Sequence, residues 1–189
     1  MKFLLIFPTN AIQPPEFKLT NVDEGHRAKA IMNKNNNTLM DNHFPKGDTF
    51  EINRHPLYWV ATLNSTYVQA MEKRLKPIGL DITRWRVAMI LKAHGSLNIS
   101  QISKLAVSRL PTTTKIIQRM EKENLIRSIP DENDGRVNVI SLTSYGHEVL
   151  IESLERTQRF FSHLFENVTE DEIKTVNRIL RKLVDNIVE

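Results

Sequence analysis

Apolar residues recur at helical spacing from about residue 56 onward, while roughly the first 50 residues show no such order. Val60, Leu63, Tyr67, Met71 and Leu75 fall at three- and four-residue steps behind Pro56. That spacing predicts an amphipathic helix of about twenty residues, opened by a proline whose missing N–H is not needed there and stopped at Lys76-Pro77-Ile78-Gly79. Asp81 is placed to cap a second helix, Ile82 to about Lys92, apolar on most sides and therefore buried. Leu97-Asn98-Ile99 reads as a short extended piece, a candidate third strand. Ser100 is placed to cap a short helix, Gln101 to about Leu105. Ser108 is placed to cap a longer one, about Arg109 to Lys122, with Pro111 tolerated in its first turn and Asn124 able to end it in a left-handed conformation.

Leu125 to Ile129 and Val137 to Leu142 are β-branched, apolar runs separated by a turn-rich Pro-Asp-Glu-Asn-Asp-Gly-Arg, the pattern of a hairpin. Thr143 then caps a long helix, Ser144 to about Asn167. Thr169-Glu170-Asp171-Glu172 is a capping box, with Val168 and Ile173 spaced for a hydrophobic staple. In the last helix Ile173, Val176, Leu180, Leu183 and Ile187 form a heptad-like seam. Residues 1 to about 50 hold Pro8, Pro14, Pro15 and the polar run Asn33 to Asn37, and read as a largely disordered extension with a short ordered piece near Phe3 to Phe7. Its mixed charge favours a dispensable extension over an arm that touches DNA.

Charge narrows the picture modestly. The net charge is +4 and the pI about 9.4, which favours anionic partners but is shared by many proteins that bind no nucleic acid. The absence of cysteine removes disulfides, thiolate zinc sites and thiol redox chemistry together, and is compatible with the cytoplasm. The opening MKFLLIF carries too short an apolar run before Pro8 for a signal peptide, and no stretch approaches a membrane span. There is no glycine-rich phosphate loop, no Ser/His/Asp arrangement and no cysteine nucleophile, so no enzyme activity and no cofactor is expected. His147 and His163 lie 16 residues apart on one helix, too far to share a metal ion, and no metal is expected.

The chemistry concentrates in the helix from about Arg109 and in the hairpin after it. Thr112, Thr113 and Thr114 offer hydroxyls to phosphates or base edges and methyls to thymine. Lys115 and Arg119 can neutralise phosphates, Arg109 and Gln118 suit base edges, and N–H groups at the helix start favour phosphate. Each threonine also suits simple capping or solvent exposure. At the hairpin tip Arg136 is the expected DNA contact, with a surface ion pair to Asp131 or Asp134 as the alternative. Asp134 and Gly135 shape the turn, or Asp134 holds that arginine, since a carboxylate facing phosphate is repelled.

The order of helix, helix, helix, helix, hairpin, long helix and helix carries three motifs. Asp131-x-x-Asp134-x-Arg136 is followed by Leu142-Thr143-x-x-Gly146; Trp85-Arg86-Val87 follows Gly79-Leu80; and Thr114 to Glu121 precedes Asn124-Leu125-Ile126. Taken together, the stretch from Phe50 to Glu189 resembles the MarR family of bacterial transcription regulators. It departs from the family in its long N-terminal extension, in Ile102-Ser103 where Leu-Ala is usual, and in Asn124 where glycine is common.

The resemblance implies a mainly α fold with a small β-hairpin wing: a winged helix-turn-helix DNA-binding lobe, about residues 80–143, plus a helical dimerisation lobe from about 55–76 and 144–189. It implies a homodimer gripping double-stranded DNA at a pseudo-palindromic operator, with Leu57, Val60, Phe161, Phe165, Leu180, Leu183, Val184 and Ile187 at the interface. It further implies a small aromatic or phenolic effector where the lobes meet. Trp59, Tyr67, Trp85, Arg86 and His94 are the candidates to line that pocket, and ordinary core packing of the aromatics with a surface ion pair for Arg86 explains them at least as well. The alternative is a winged-helix module whose basic face binds protein or RNA.

Overall fold

The computed structural model describes residues 51–131 and 135–188. The expectations for residues 1–50, and for Asp134, lie outside the described residues. A 3-10 turn, Ile52–Arg54, leads into α1, Pro56–Leu75. His55 caps α1: its imidazole accepts the N–H of Leu57. A second 3-10 turn, Lys76–Ile78, ends on Gly79, whose φ of 72° is the left-handed value that glycine adopts without strain. Helix α2 runs Ile82–His94, and Asp81 caps it as its sequence position predicts.

Strand β1, Leu97–Asn98, is the third strand anticipated at that position. Helix α3 spans Ile99–Leu105 and α4 Leu110–Lys122. Helix α3 starts two residues before the expected Gln101 and α4 one residue after the expected Arg109, each for a definite reason. Asn98, not Ser100, caps α3, because Gln101 returns its side chain to the Asn98 N–H and closes a reciprocal capping box. Ser108 does not cap α4; its carbonyl accepts the Ser103 hydroxyl, and Arg109 takes the N-cap position. Asn124 ends this segment at φ 57°, as expected.

Strands β2, Ile126–Pro130, and β3, Asn138–Leu142, form the hairpin, and β3 sits in the centre of a three-stranded antiparallel sheet ordered β1-β3-β2. Ile140 pairs with Leu97 on one side and Ser128 on the other. Helix α5 runs Ser144–Leu164, shorter than expected because the chain turns through Asn167 at φ 60°. Helix α6, Glu170–Ile187, opens with the predicted Thr169–Glu172 capping box.

One apolar core joins these elements. It takes Met71 and Leu75 from α1, Trp85, Val87 and Leu91 from α2, Ile102 from α3, Ile117 and Met120 from α4, Ile126 and Ile140 from the sheet and Leu150 from α5. The start of α5 packs tightly against the end of the α4 segment. A Cβ on Gly146 would lie 1.9 Å from the Leu125 carbonyl oxygen, so only glycine fits there. Thr143 reinforces the same corner by donating to the Asn124 carbonyl at 2.6 Å.

Two apolar faces stay outside this core. The stripe read on α1 is buried only in its C-terminal half: Leu57, Val60 and Leu63 are exposed. No residue of α6 is buried, and Val176, Ile179, Leu180, Leu183, Val184 and Ile187 all face solvent.

Candidate nucleic-acid interface

Helix α4 has one face in the core and one face outward. Thr113, Ile117 and Met120, at four- and three-residue steps, form the buried line. Thr113 is 0 % exposed, and its hydroxyl back-bonds to the Arg109 carbonyl at 3.3 Å. This corrects its assignment as a DNA contact: a side chain packed in line with Ile117 and Met120 has no route to a duplex. The hydroxyl of Thr114, half-buried, donates to the Leu110 carbonyl at 2.9 Å. Thr112 remains exposed.

On the opposite side Pro111, Lys115, Gln118 and Lys122 recur at four- and three-residue steps, and all are exposed. Lys122 belongs to this line too, beyond the residues expected from sequence. The spacing from Lys115 and Gln118 was the available signal. Arg109, also exposed, stands at the N-cap and makes no side-chain hydrogen bond into the first turn. The positive end of the helix dipole and its first N–H groups therefore adjoin a cationic side chain.

Arg119 lies at the edge of this face, held in a network of charges. Its Nε donates to Glu123 at 3.0 Å, and its guanidinium lies 3.6 Å from Asp81. Behind it sits Arg84, only 4 % exposed, which donates to Asp81 at 2.9 Å, to Glu123 and to the Gly79 carbonyl. Burial pushes the Asp81 carboxyl up, but hydrogen bonds from Thr83 and from Arg84, with the Arg84 charge, outweigh it and hold its pKa below the usual value. Arg84 was not singled out from sequence. The Asp81–Arg84 spacing hinted at a local pair, but Glu123, 39 residues away from Arg84, gave no sign.

Past α4 the hairpin presents Gly135 and Arg136, both exposed. The Asp131 N–H donates to the Val137 carbonyl at 2.7 Å and draws the two strands together below the tip. On the neighbouring β2, exposed Arg127 donates to Ser141 at 3.1 Å.

The residues expected to line an effector pocket divide into separate groups. Tyr67 and Trp85 come together with Phe160 and Phe161, at ring-centroid distances of 6.2 to 6.4 Å for the pairs Tyr67–Phe160, Tyr67–Phe161 and Trp85–Phe161. Arg74 lies over the Phe160 ring at 4.5 Å. The Trp85 indole N–H donates to Ser153 at 3.1 Å. Burial raises the Tyr67 pKa, and the charge of Arg86 offsets part of that rise. Arg86 itself donates to the Ala106 carbonyl at 3.4 Å. Trp59 does not join them: it is exposed near the start of α1, where its indole donates to the Asn53 carbonyl at 2.6 Å. His94 is exposed at the far end of α2. Of the residues assigned to an interface, Phe161 and Phe165 are half-buried, and Phe161 is committed to Trp85 and Tyr67 within its own chain.

Comparison with known proteins agrees with this architecture. The MarR family model matches residues 80–137, from the turn before α2 to the end of the hairpin tip. The HTH-type transcriptional repressor IacR of Pseudomonas putida is 37% identical over 145 residues, covering 77% of this chain and 87% of that protein. The chain belongs to the MarR family. Among solved structures, a MarR family transcriptional regulator from Silicibacter pomeroyi aligns with a TM-score of 0.67 at 24% identity, over 76% of this chain and 96% of its own. A mutant of MarR from E. coli complexed with operator DNA aligns with a TM-score of 0.60 at 19% identity, over 66% of this chain and 90% of its own. At those identities the structures show a shared fold. Within MarR terms, α3 and α4 are the helix-turn-helix and β2 and β3 the wing. No helix among the described residues is long and apolar enough to cross a membrane.

Proposed function

We propose that this chain is a sequence-specific DNA-binding transcriptional repressor, acting in the cytoplasm as a homodimer on a pseudo-palindromic operator. The observation that carries the reading is the exposed Lys115–Gln118–Lys122 line on α4, led by Arg109 at the helix N-terminus. Lysines neutralise phosphates, glutamine pairs with adenine edges, and a helix of this width fits the major groove. Arg136 on the wing supplies a further cation for the adjacent backbone or minor groove. The names of the similar proteins, a repressor and a regulator held on operator DNA, support the same reading.

Two copies serve better than one because paired recognition helices, about one turn of DNA apart, multiply weak half-site binding. The exposed apolar faces of α6 and of the first half of α1 supply the surface for that pairing. Residues 80–143 then form the DNA-binding lobe, and α1, α5 and α6 the dimerisation lobe. The aromatic cluster of Tyr67, Trp85, Phe160 and Phe161 lies where α1, α2 and α5 meet, and Arg86 lies near Tyr67. That junction is the place for a small aromatic or phenolic effector that releases the DNA.

The test is a gel shift with the full chain and the DNA upstream of its own gene, at two salt concentrations. Specific binding that weakens steeply with salt is expected, as counterions leave the phosphates. Arg136→Ala weakens it without unfolding the protein. Salt-insensitive or sequence-blind binding overturns the proposal and favours a module for protein or RNA.

A further inference from the structure

The turn between α3 and α4 contains a residue that the fold of this chain gives no reason to keep. Val107 adopts φ 51°, in the left-handed region, where a β-branched side chain is a steric outlier. The conformation is held from both sides. The Val107 N–H donates to the Lys104 carbonyl at 3.2 Å, the Ser108 N–H to the Ser103 carbonyl at 3.1 Å, and the buried Ser103 hydroxyl to the Ser108 carbonyl at 2.7 Å. None of these bonds uses the side chain at 107. Glycine or asparagine suits such a φ better. The isopropyl group gains nothing inside the chain in return, since Val107 is 90 % exposed.

The neighbourhood gives that exposed group a direction. Leu110, the first residue of α4, is 47 % exposed, and Pro111 beside it is exposed too. Val107, Leu110 and Pro111 are thus exposed apolar residues spaced along the chain as it enters the helix that carries Lys115, Gln118 and Lys122. Phosphate contacts are already provided for by Lys115 and Lys122, and an alkyl group cannot make one. The apolar group that a duplex presents in its major groove is the 5-methyl of thymine.

We propose that Val107 and Leu110 form an apolar contact for thymine 5-methyl groups, which biases this protein toward DNA sites with A·T pairs at the leading end of α4. The inference rests on the DNA-binding reading above and goes beyond it by naming the group that is read.

The experiment separates the two. The full chain selects duplexes from a random-sequence pool, and the enriched site is resynthesised with its thymines replaced one at a time by deoxyuridine. That replacement removes only the methyl and leaves base pairing intact. For the native chain, one or more replacements are expected to lower affinity about three- to fourfold, the worth of one buried methyl. In Val107→Gly or Val107→Asn, both suited to the backbone at that turn, and in Leu110→Ala, the loss at those positions disappears, while the other thymines behave as before. An unchanged deoxyuridine penalty in all three variants overturns the contact, as does an enriched site at which no thymine methyl matters. A pool that yields no enriched sequence overturns the DNA-binding reading itself, and the contact with it.

Discussion

Arg84 in the first turn of α2 and Glu123 at the end of α4 form an ion pair across 39 residues of sequence. The arginine is buried and the carboxylate is about one-third exposed, so the pair fastens the back of α4 to the α1–α2 corner. Replacing Glu123 by alanine leaves Arg84 with Asp81 and a backbone carbonyl, but strips one charged acceptor from a buried cation. The expected loss is about 1–3 kcal/mol in urea denaturation, at the low end of that for buried pairs because Glu123 reaches solvent. An unchanged unfolding midpoint would show that the pair holds nothing.

Asp81 gives this network a pH dependence of definite sign. Its folded pKa lies below the ordinary value of 3.8. A depressed carboxylate stabilises the fold above its unfolded pKa, and that contribution is lost as pH falls through the folded value. Asp81→Asn should therefore flatten the fall in stability below about pH 4. Thermal melts of both proteins from neutral pH into that range check it. The variant should also be less stable near neutrality, because the amide keeps the cap but not the charge pairing to Arg84.

Thr113 and Lys115 are two residues apart on α4 and predict opposite behaviour. Thr113→Val keeps the buried volume and removes a hydroxyl that bonds only to its own helix, so stability should change by less than about 1 kcal/mol and DNA affinity should stay the same. Lys115→Ala should leave the melting temperature in place, lower affinity for every sequence tested, and reduce the salt slope of binding by about one. Loss of DNA binding in Thr113→Val at unchanged stability would reverse the assignment of α4's two faces.

Gly146→Ala drives a methyl group into the Leu125 carbonyl, with backbone on both sides of the collision. Backbone cannot rotate out of the way as a side chain can. The expected cost is about 3 kcal/mol or more, read as a lowered melting temperature. A variant as stable as the parent would mean that α5 starts farther from the hairpin than it does here.

Much of this architecture was legible from spacing and capping. The Thr169–Glu172 box, the Asp81 cap and the left-handed Asn124 are local signals, decided by residues within a few positions of each other. The misreadings came where local chemistry was ambiguous or partners were remote. Asn98 and Ser100 can both cap a helix, and the returning side chain of Gln101 chose between them. Threonine suits either face of a helix, so residue type alone does not place Thr113, whereas its spacing to Ile117 and Met120 points inward. Arg84 drew no notice because its partner is distant in sequence, and no pattern of residue types signals a valine held at positive φ. The five candidate pocket residues shared chemistry but not position, so only Tyr67 and Trp85 were brought into one aromatic cluster.

Helix α6 has no residue buried against its own chain, yet it carries an unbroken apolar seam from Val176 to Ile187. In the proposed homodimer a second copy covers that seam, and its order then depends on the amount of protein present. Dilution should lower the melting temperature, as mass action requires when assembly stabilises the fold. Leu183→Glu should abolish that concentration dependence and yield a single-chain species in sedimentation. On the homodimer proposed above, the same dependence would set a threshold in a cell: below a certain number of copies the protein would be present but unassembled, and only above it would a second grip on the double helix become available.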